Sequence, residues 1–102
     1  MIEQLLCRER RKDYNCQDFV GEAWEILTGE KLKQKIFDHQ NQRNKLERLD
    51  EPISPCLVFF SNARYQNHIG LFYDGKVLHL TDAAQYVPLE LIFGFDQCEF
   101  YR

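Results

Sequence analysis

The chain has no long apolar run, no basic excess and no paired-cysteine motif, and each absence removes a class of function. Its longest uninterrupted apolar stretches are short, such as Leu57-Val58-Phe59-Phe60, far below the roughly 20 residues that span a bilayer. The stretch Met1-Ile2-Glu3-Gln4-Leu5-Leu6-Cys7-Arg8 lacks the basic start, long apolar segment and small-residue cleavage site of a signal peptide. Thirteen basic against sixteen acidic residues give a net charge of −3. No basic patch interleaves with aromatics, so neither nucleic acid nor membrane is an expected partner. The four cysteines, at positions 7, 16, 56 and 98, include no C-x-x-C pair, which argues against a zinc ribbon. Without an export leader, reduced thiols are expected in place of two disulfides. No internal repeat or low-complexity tract is visible. What remains is a chain of 102 residues, 44% hydrophobic and 14% aromatic, which predicts a single folded domain over residues 1–102 with one core.

The most informative stretch is Tyr14-Asn15-Cys16-Gln17-Asp18-Phe19-Val20. Asn15 is a favourable N-cap, and Asp18 puts an acid in the first turn, where the helix dipole stabilises it. Behind the cap, Cys16, Phe19, Val20, Ala23, Trp24, Ile26 and Leu27 recur at helical spacing, and Gly29 supplies a stop. The pattern predicts a helix from Cys16 to Thr28 whose first residue is a thiol pointing to the buried side. A cysteine at a helix N-terminus has its thiolate favoured by unpaired backbone N–H groups and the dipole, which is where a nucleophile belongs. Most free cysteines are small buried hydrophobes, so the reading depends on partners elsewhere.

Upstream, Ile2, Leu5 and Leu6 predict a short helix within residues 1–12 that ends in the charged run Arg8-Glu9-Arg10-Arg11-Lys12, a solvated face. Residues 30–51 are polar, with sparse apolar positions at Leu32, Ile36, Phe37, Leu46 and Leu49. They read as a largely helical covering segment outside the core, with His39 exposed. Pro52 and Pro55 break that pattern. Cys56-Leu57-Val58-Phe59-Phe60 then reads as a buried strand, Ser61 to Asn67 as a polar loop, and Asp74-Gly75 as the turn of a hairpin. The tail adds Tyr86-Val87-Pro88, a segment from Leu89 to Phe93 of undecided type, and Cys98-Glu99-Phe100-Tyr101 as a last strand. Helices first and antiparallel strands after give an α+β class, N-terminal helices on an antiparallel β-sheet.

A two-residue turn at Asp74-Gly75 fixes the hairpin register, pairing Tyr73 with Lys76, Phe72 with Val77, Leu71 with Leu78 and Gly70 with His79. Strand alternation then puts His68, Gly70 and Phe72 on one face with Val77, His79 and Thr81. His68 and His79 become diagonal neighbours, within reach of ring side chains, and Gly70 leaves the space between them open. A thiol, a base and a group that orients the base form the arrangement nucleophilic catalysis requires. Cys16 is the expected nucleophile, His68 the base and His79 the orienter. The N–H of Cys16 with a neighbouring donor would hold the oxyanion, with Tyr14, Asn15 and Gln17 as the supporting residues. The same three side chains could take zinc with a fourth ligand. The capped thiol favours nucleophilic use, and no metal or cofactor is expected.

In its order of motifs the chain resembles the NlpC-type cell-wall cysteine peptidases. The family's Asp-Cys-Ser-Gly-like box corresponds to Asn15-Cys16-Gln17-Asp18, and its Pro-Gly-Asp-Leu-Val-Phe-Phe-like strand to Ser54-Pro55-Cys56-Leu57-Val58-Phe59-Phe60. Its His-Val-Gly-Ile-Tyr-like strand corresponds to His68-Ile69-Gly70-Leu71-Phe72-Tyr73, and its third polar residue falls on His79. Departures are Gln17-Asp18 in place of the small Ser-Gly, no acid near Cys56, and no clear counterpart to the tyrosine that precedes the nucleophile. Lecithin:retinol acyltransferase-like proteins share an Asn-Cys box, but there the histidines precede the cysteine. The resemblance implies a papain-like core, a Cys-His-His thiol hydrolase acting on an amide bond of peptidoglycan stem peptides, and no cofactor. The compact Tyr-x-Cys form with Trp24 and Thr28-Gly29 looks like versions encoded by bacteriophages and prophages, with phage tail proteins as partners. Synthesis in a bacterial cytoplasm and delivery to the wall by a virion, a lysis system or a secretion apparatus would follow. Two alternatives remain open, a non-catalytic tail or structural module of the same fold, and a thiol acyltransferase or deamidase.

Overall fold

Helix α2 (Cys16–Thr28) is set by its two ends. Asn15 is extended, and its Oδ1 accepts from the N–H groups of Gln17 at 2.9 Å and Asp18 at 3.1 Å. The Asp18 carboxylate in return accepts the Asn15 N–H at 3.0 Å, completing a capping box. Gly29 closes the helix with a left-handed φ of 80°, a conformation glycine adopts without steric cost. The buried stripe is Phe19, Val20, Gly21, Ala23 and Trp24. The computed structural model describes residues 2–32, 46–62 and 67–102.

The stripe packs on an antiparallel sheet of six strands, β1 (Arg48–Leu49), β2 (Cys56–Ser61), β3 (His68–Tyr73), β4 (Lys76–Leu80), β5 (Ala84–Val87) and β6 (Gln97–Tyr101), in the order β1-β6-β2-β3-β4-β5. The class is α+β. Alternation along the strands gives the sheet two different faces. On one, Leu57, Ile69, Leu71, Leu78 and Leu80 join the α2 stripe in the main core. On the other, Val58, Phe60 and Val77 form a second cluster covered by Leu89, Ile92 and Phe95 from the segment between β5 and β6. That segment carries a single 3₁₀ turn at Leu89–Leu91.

Several expectations need correction. Helix α1 spans only Ile2–Leu5, and the charged run after it is extended, not a helix end. Its backbone pairs with the β4–β5 turn, through a bridge between Glu9 and Ala83 and the bonds Arg10 N–H to Asp82 O (2.9 Å) and Ala84 N–H to Arg8 O (3.0 Å). Nor does the whole run face solvent, since Arg8 Nε donates to Glu22 Oε1 at 2.9 Å. The 30–51 segment is not confined to the surface. Leu32 and Leu46 are core residues, 3% and 7% exposed, because isolated leucines on a polar segment still seek the apolar face of the sheet. Residues 48–49 form strand β1 against β6 instead of helix. The helix expected over 33–45, with His39, lies outside the described residues.

Candidate active site

The hairpin of β3 and β4 has the register the Asp74-Gly75 turn predicts, with Tyr73 opposite Lys76 and Gly70 opposite His79. Asp74 and Gly75 both take positive φ, 50° and 86°, as a type I′ turn requires. Gly70 is required by close approach. A Cβ there would lie 2.7 Å from Val77 Cγ1 and 3.2 Å from the Leu78 carbonyl oxygen. With no side chain in between, the rings of His68 and His79 meet edge to face, and His68 Nε2 lies 3.0 Å from His79 Nδ1.

His68 is also clamped between aromatics. Phe95 stacks on it at 5.7 Å with planes 10° apart, and Phe60, its partner across β2–β3, lies 5.7 Å away. Burial among these rings, then the His79 ring and then the Arg10 cation lower its pKa from 6.5 to about 4. His68 is therefore neutral across the physiological range, the state a proton acceptor needs. Its Nε2 is engaged with His79, so its free nitrogen is Nδ1. His79, 4% exposed, is pushed down by burial and held up by the Gln85 side chain. Gln85 stands opposite it in the β4–β5 register, yet no side chain closes a hydrogen bond to the buried His79 Nε2 among the described residues.

The histidines sit on the sheet face remote from most of α2, at the end of the sheet where β3 begins. The first residue of α2 reaches that end. Cys16 is half-buried and lines a cleft of about 510 Å³ together with Arg10, Asn62, Asn67, His68, Gly94 and Phe95. A second cleft of about 320 Å³ continues from His68 past His79, Thr81 and Gln85 to Leu91, Ile92 and Phe93. His68 thus lines both clefts, with the Cys16 thiol in one and the His79 ring in the other. No hydrogen bond joins Cys16 Sγ to the His68 ring, and in unliganded sites such contacts are commonly long.

The three residues expected to support the site lie around the start of α2. None of the Tyr14, Asn15 and Gln17 side chains lines the thiol cleft. The Asn15 side chain is consumed by capping, and the Tyr14 hydroxyl donates to Glu22 Oε1 at 2.5 Å, beside the Arg8 pair. Burial and this carboxylate raise the Tyr14 pKa, and Arg8, with a smaller part from the Tyr14 hydroxyl, lowers that of Glu22. The result is a fixed polar cluster against the flank of α2. In the first turn the N–H groups of Gln17, Asp18 and Phe19 all donate to Asn15. The N–H of Cys16 is the first-turn amide left uncommitted among the described residues. An oxyanion would find it there.

Sequence reasoning missed Phe95 and Gln85. Gln85 was legible in principle, since a turn after Thr81 puts it across from His79. Phe95 had no local signal, because it reaches His68 only through the path of the β5–β6 segment. Among the described residues no group of three His, Cys, Asp or Glu side chains is arranged to hold a metal ion, and no helix is long and apolar enough to cross a membrane. The chain matches no known family model, no characterised protein and no solved structure. The NlpC-type resemblance accordingly rests on the order of the sequence motifs.

Proposed function

We propose that the chain is a thiol hydrolase with a papain-like, NlpC-type core that cleaves an amide bond in peptidoglycan stem peptides, in a phage or prophage setting. The observation that carries this reading is the neutral, clamped His68, bonded to His79 through Nε2 and sharing a cleft with Cys16 at the start of α2. In the reaction, Cys16 Sγ attacks the amide carbonyl carbon while His68 Nδ1 takes the thiol proton. The developing oxyanion is met by the Cys16 N–H, a preorganised donor of the kind that lowers such barriers most. On collapse the C–N bond breaks, His68 returns the proton to the leaving amine, and a thioester remains. Water, deprotonated by His68, then releases the acid and regenerates the thiol. His79 accepts from His68 Nε2–H throughout, which fixes the tautomer and supports the transient imidazolium.

The test is a mass-spectrometric digest of purified peptidoglycan with the wild type beside Cys16→Ala. New stem-peptide fragments from the wild type alone are expected. Absence of fragments from both proteins would move the reading to the non-catalytic module.

A further inference from the structure

Among its described lining residues, the thiol cleft carries charge of one sign. Of the described residues that line it, Arg10 is the single ionised group, and the rest of the polar wall is Asn62, Asn67 and His68. No carboxylate is among the described lining residues, although acids outnumber bases in this chain. Two arginines elsewhere are paired with acids, Arg8 with Glu22 at 2.9 Å and Arg48 with Glu99 at 3.3 Å. The Arg10 guanidinium has no acidic partner among the described residues. Its position is nonetheless built. The Arg10 N–H donates to Asp82 O and the neighbouring Glu9 bridges Ala83, so the backbone under the side chain is tied to the β4–β5 turn beside the histidines. Its charge reaches the site, where it adds to the field that keeps His68 unprotonated.

We propose that Arg10 is the anion-recognition residue of this cleft, and that the molecule it takes carries a carboxylate close to the amide attacked by Cys16. The substrate side of this inference rests on the hydrolase reading and narrows it to peptides bearing a free acid beside the scissile bond. An unpaired guanidinium presents a planar fork of donors that matches a carboxylate bidentately, and the Asn67 amide lies in the same wall to add a donor.

The experiment has two arms, so that Arg10 and the chemistry are judged separately. In the first, Cys16 is alkylated with iodoacetate and with iodoacetamide, and site-resolved mass spectrometry gives the rate ratio of the anionic to the neutral reagent, with Cys98 as internal control. Changes in intrinsic thiol reactivity cancel in the ratio. Arg10→Gln should lower it by roughly three-fold at low salt, as expected for unit charges several ångströms apart near a surface. Arg10→Lys should hold most of the wild-type value, and Cys98 should not respond. In the second arm, Cys16→Ala is titrated with an acidic stem tripeptide and its amidated counterpart. The acidic form should bind roughly ten-fold tighter, the size of one charge-assisted contact, and Arg10→Gln should erase the difference. A thiol inert to both reagents, with the binding preference intact, would overturn the hydrolase and keep Arg10 as an anion site. An unchanged alkylation ratio in Arg10→Gln, or equal binding of the two peptides, would overturn the proposal.

Discussion

Burial of His68 makes the domain acid-sensitive in a window that can be calculated. Its pKa is 6.5 in the unfolded chain and about 4 in the folded one. The unfolded state therefore binds the proton first, and stability is intact above pH 6.5 and falls as pH drops toward 4. For one group with these two values the loss between pH 7 and pH 5 is about 2 kcal/mol, a large share of the roughly 5–15 kcal/mol that holds such a domain together. His79 shifts in the same direction and adds to the loss. Glu22, whose pKa is lowered by Arg8, contributes stability that is present above its unfolded value of 4.5 and is lost only below that, so this window isolates the histidines. The assay is urea unfolding at pH 7 and pH 5 for the wild type and for His68→Gln, which cannot titrate. His39 is common to both proteins and cancels. The wild type should lose about 2 kcal/mol more than the variant across the window. Equal losses in the two proteins would refute the burial argument.

Gly70→Ala should destabilise the fold by about 1–3 kcal/mol, since the new methyl meets Val77 Cγ1 at 2.7 Å and the Leu78 carbonyl oxygen at 3.2 Å, and the Val77 side chain must shift to admit it; a wild-type urea midpoint would contradict this. Asn15→Ala removes the acceptor of two first-turn N–H groups and should cost about 1 kcal/mol, read from the same unfolding curves. The acid limb of peptide hydrolysis should lie well below the 6.5 of a free imidazole, because rate is lost only as His68 protonates near 4. A limb at 6.5 would mean that the base is another group.

Local chemistry wrote the best-read parts of the chain. Asn15, Asp18 and Gly29 define α2 from nearest neighbours, and Asp74-Gly75 forces the register that joins the histidines. Both signals are short-range and act before tertiary packing. The places of the supporting side chains were less legible. Capping satisfies Asn15 locally, while the direction of the Tyr14 side chain depends on Glu22, two helical turns away on a surface no motif describes. The burial of Leu32 and Leu46 is not legible locally, because two leucines in a polar segment carry no periodicity and the sheet face they meet decides it. The position of β6 between β1 and β2, and with it the approach of Phe95 to His68, is a long-range outcome that pairing rules alone leave open.

The central claim, that Cys16 is an activated thiol served by His68, is tested most directly by its own reactivity. Iodoacetamide labelling at pH 7, resolved by site, compares Cys16 with the exposed Cys7 and Cys98 in the wild type and in His68→Ala. Half-buried Cys16 should outrun both exposed thiols and slow by about tenfold or more when its base is removed. A Cys16 slower than Cys7 and Cys98, and indifferent to His68→Ala, would identify it as a packing residue and contradict the account.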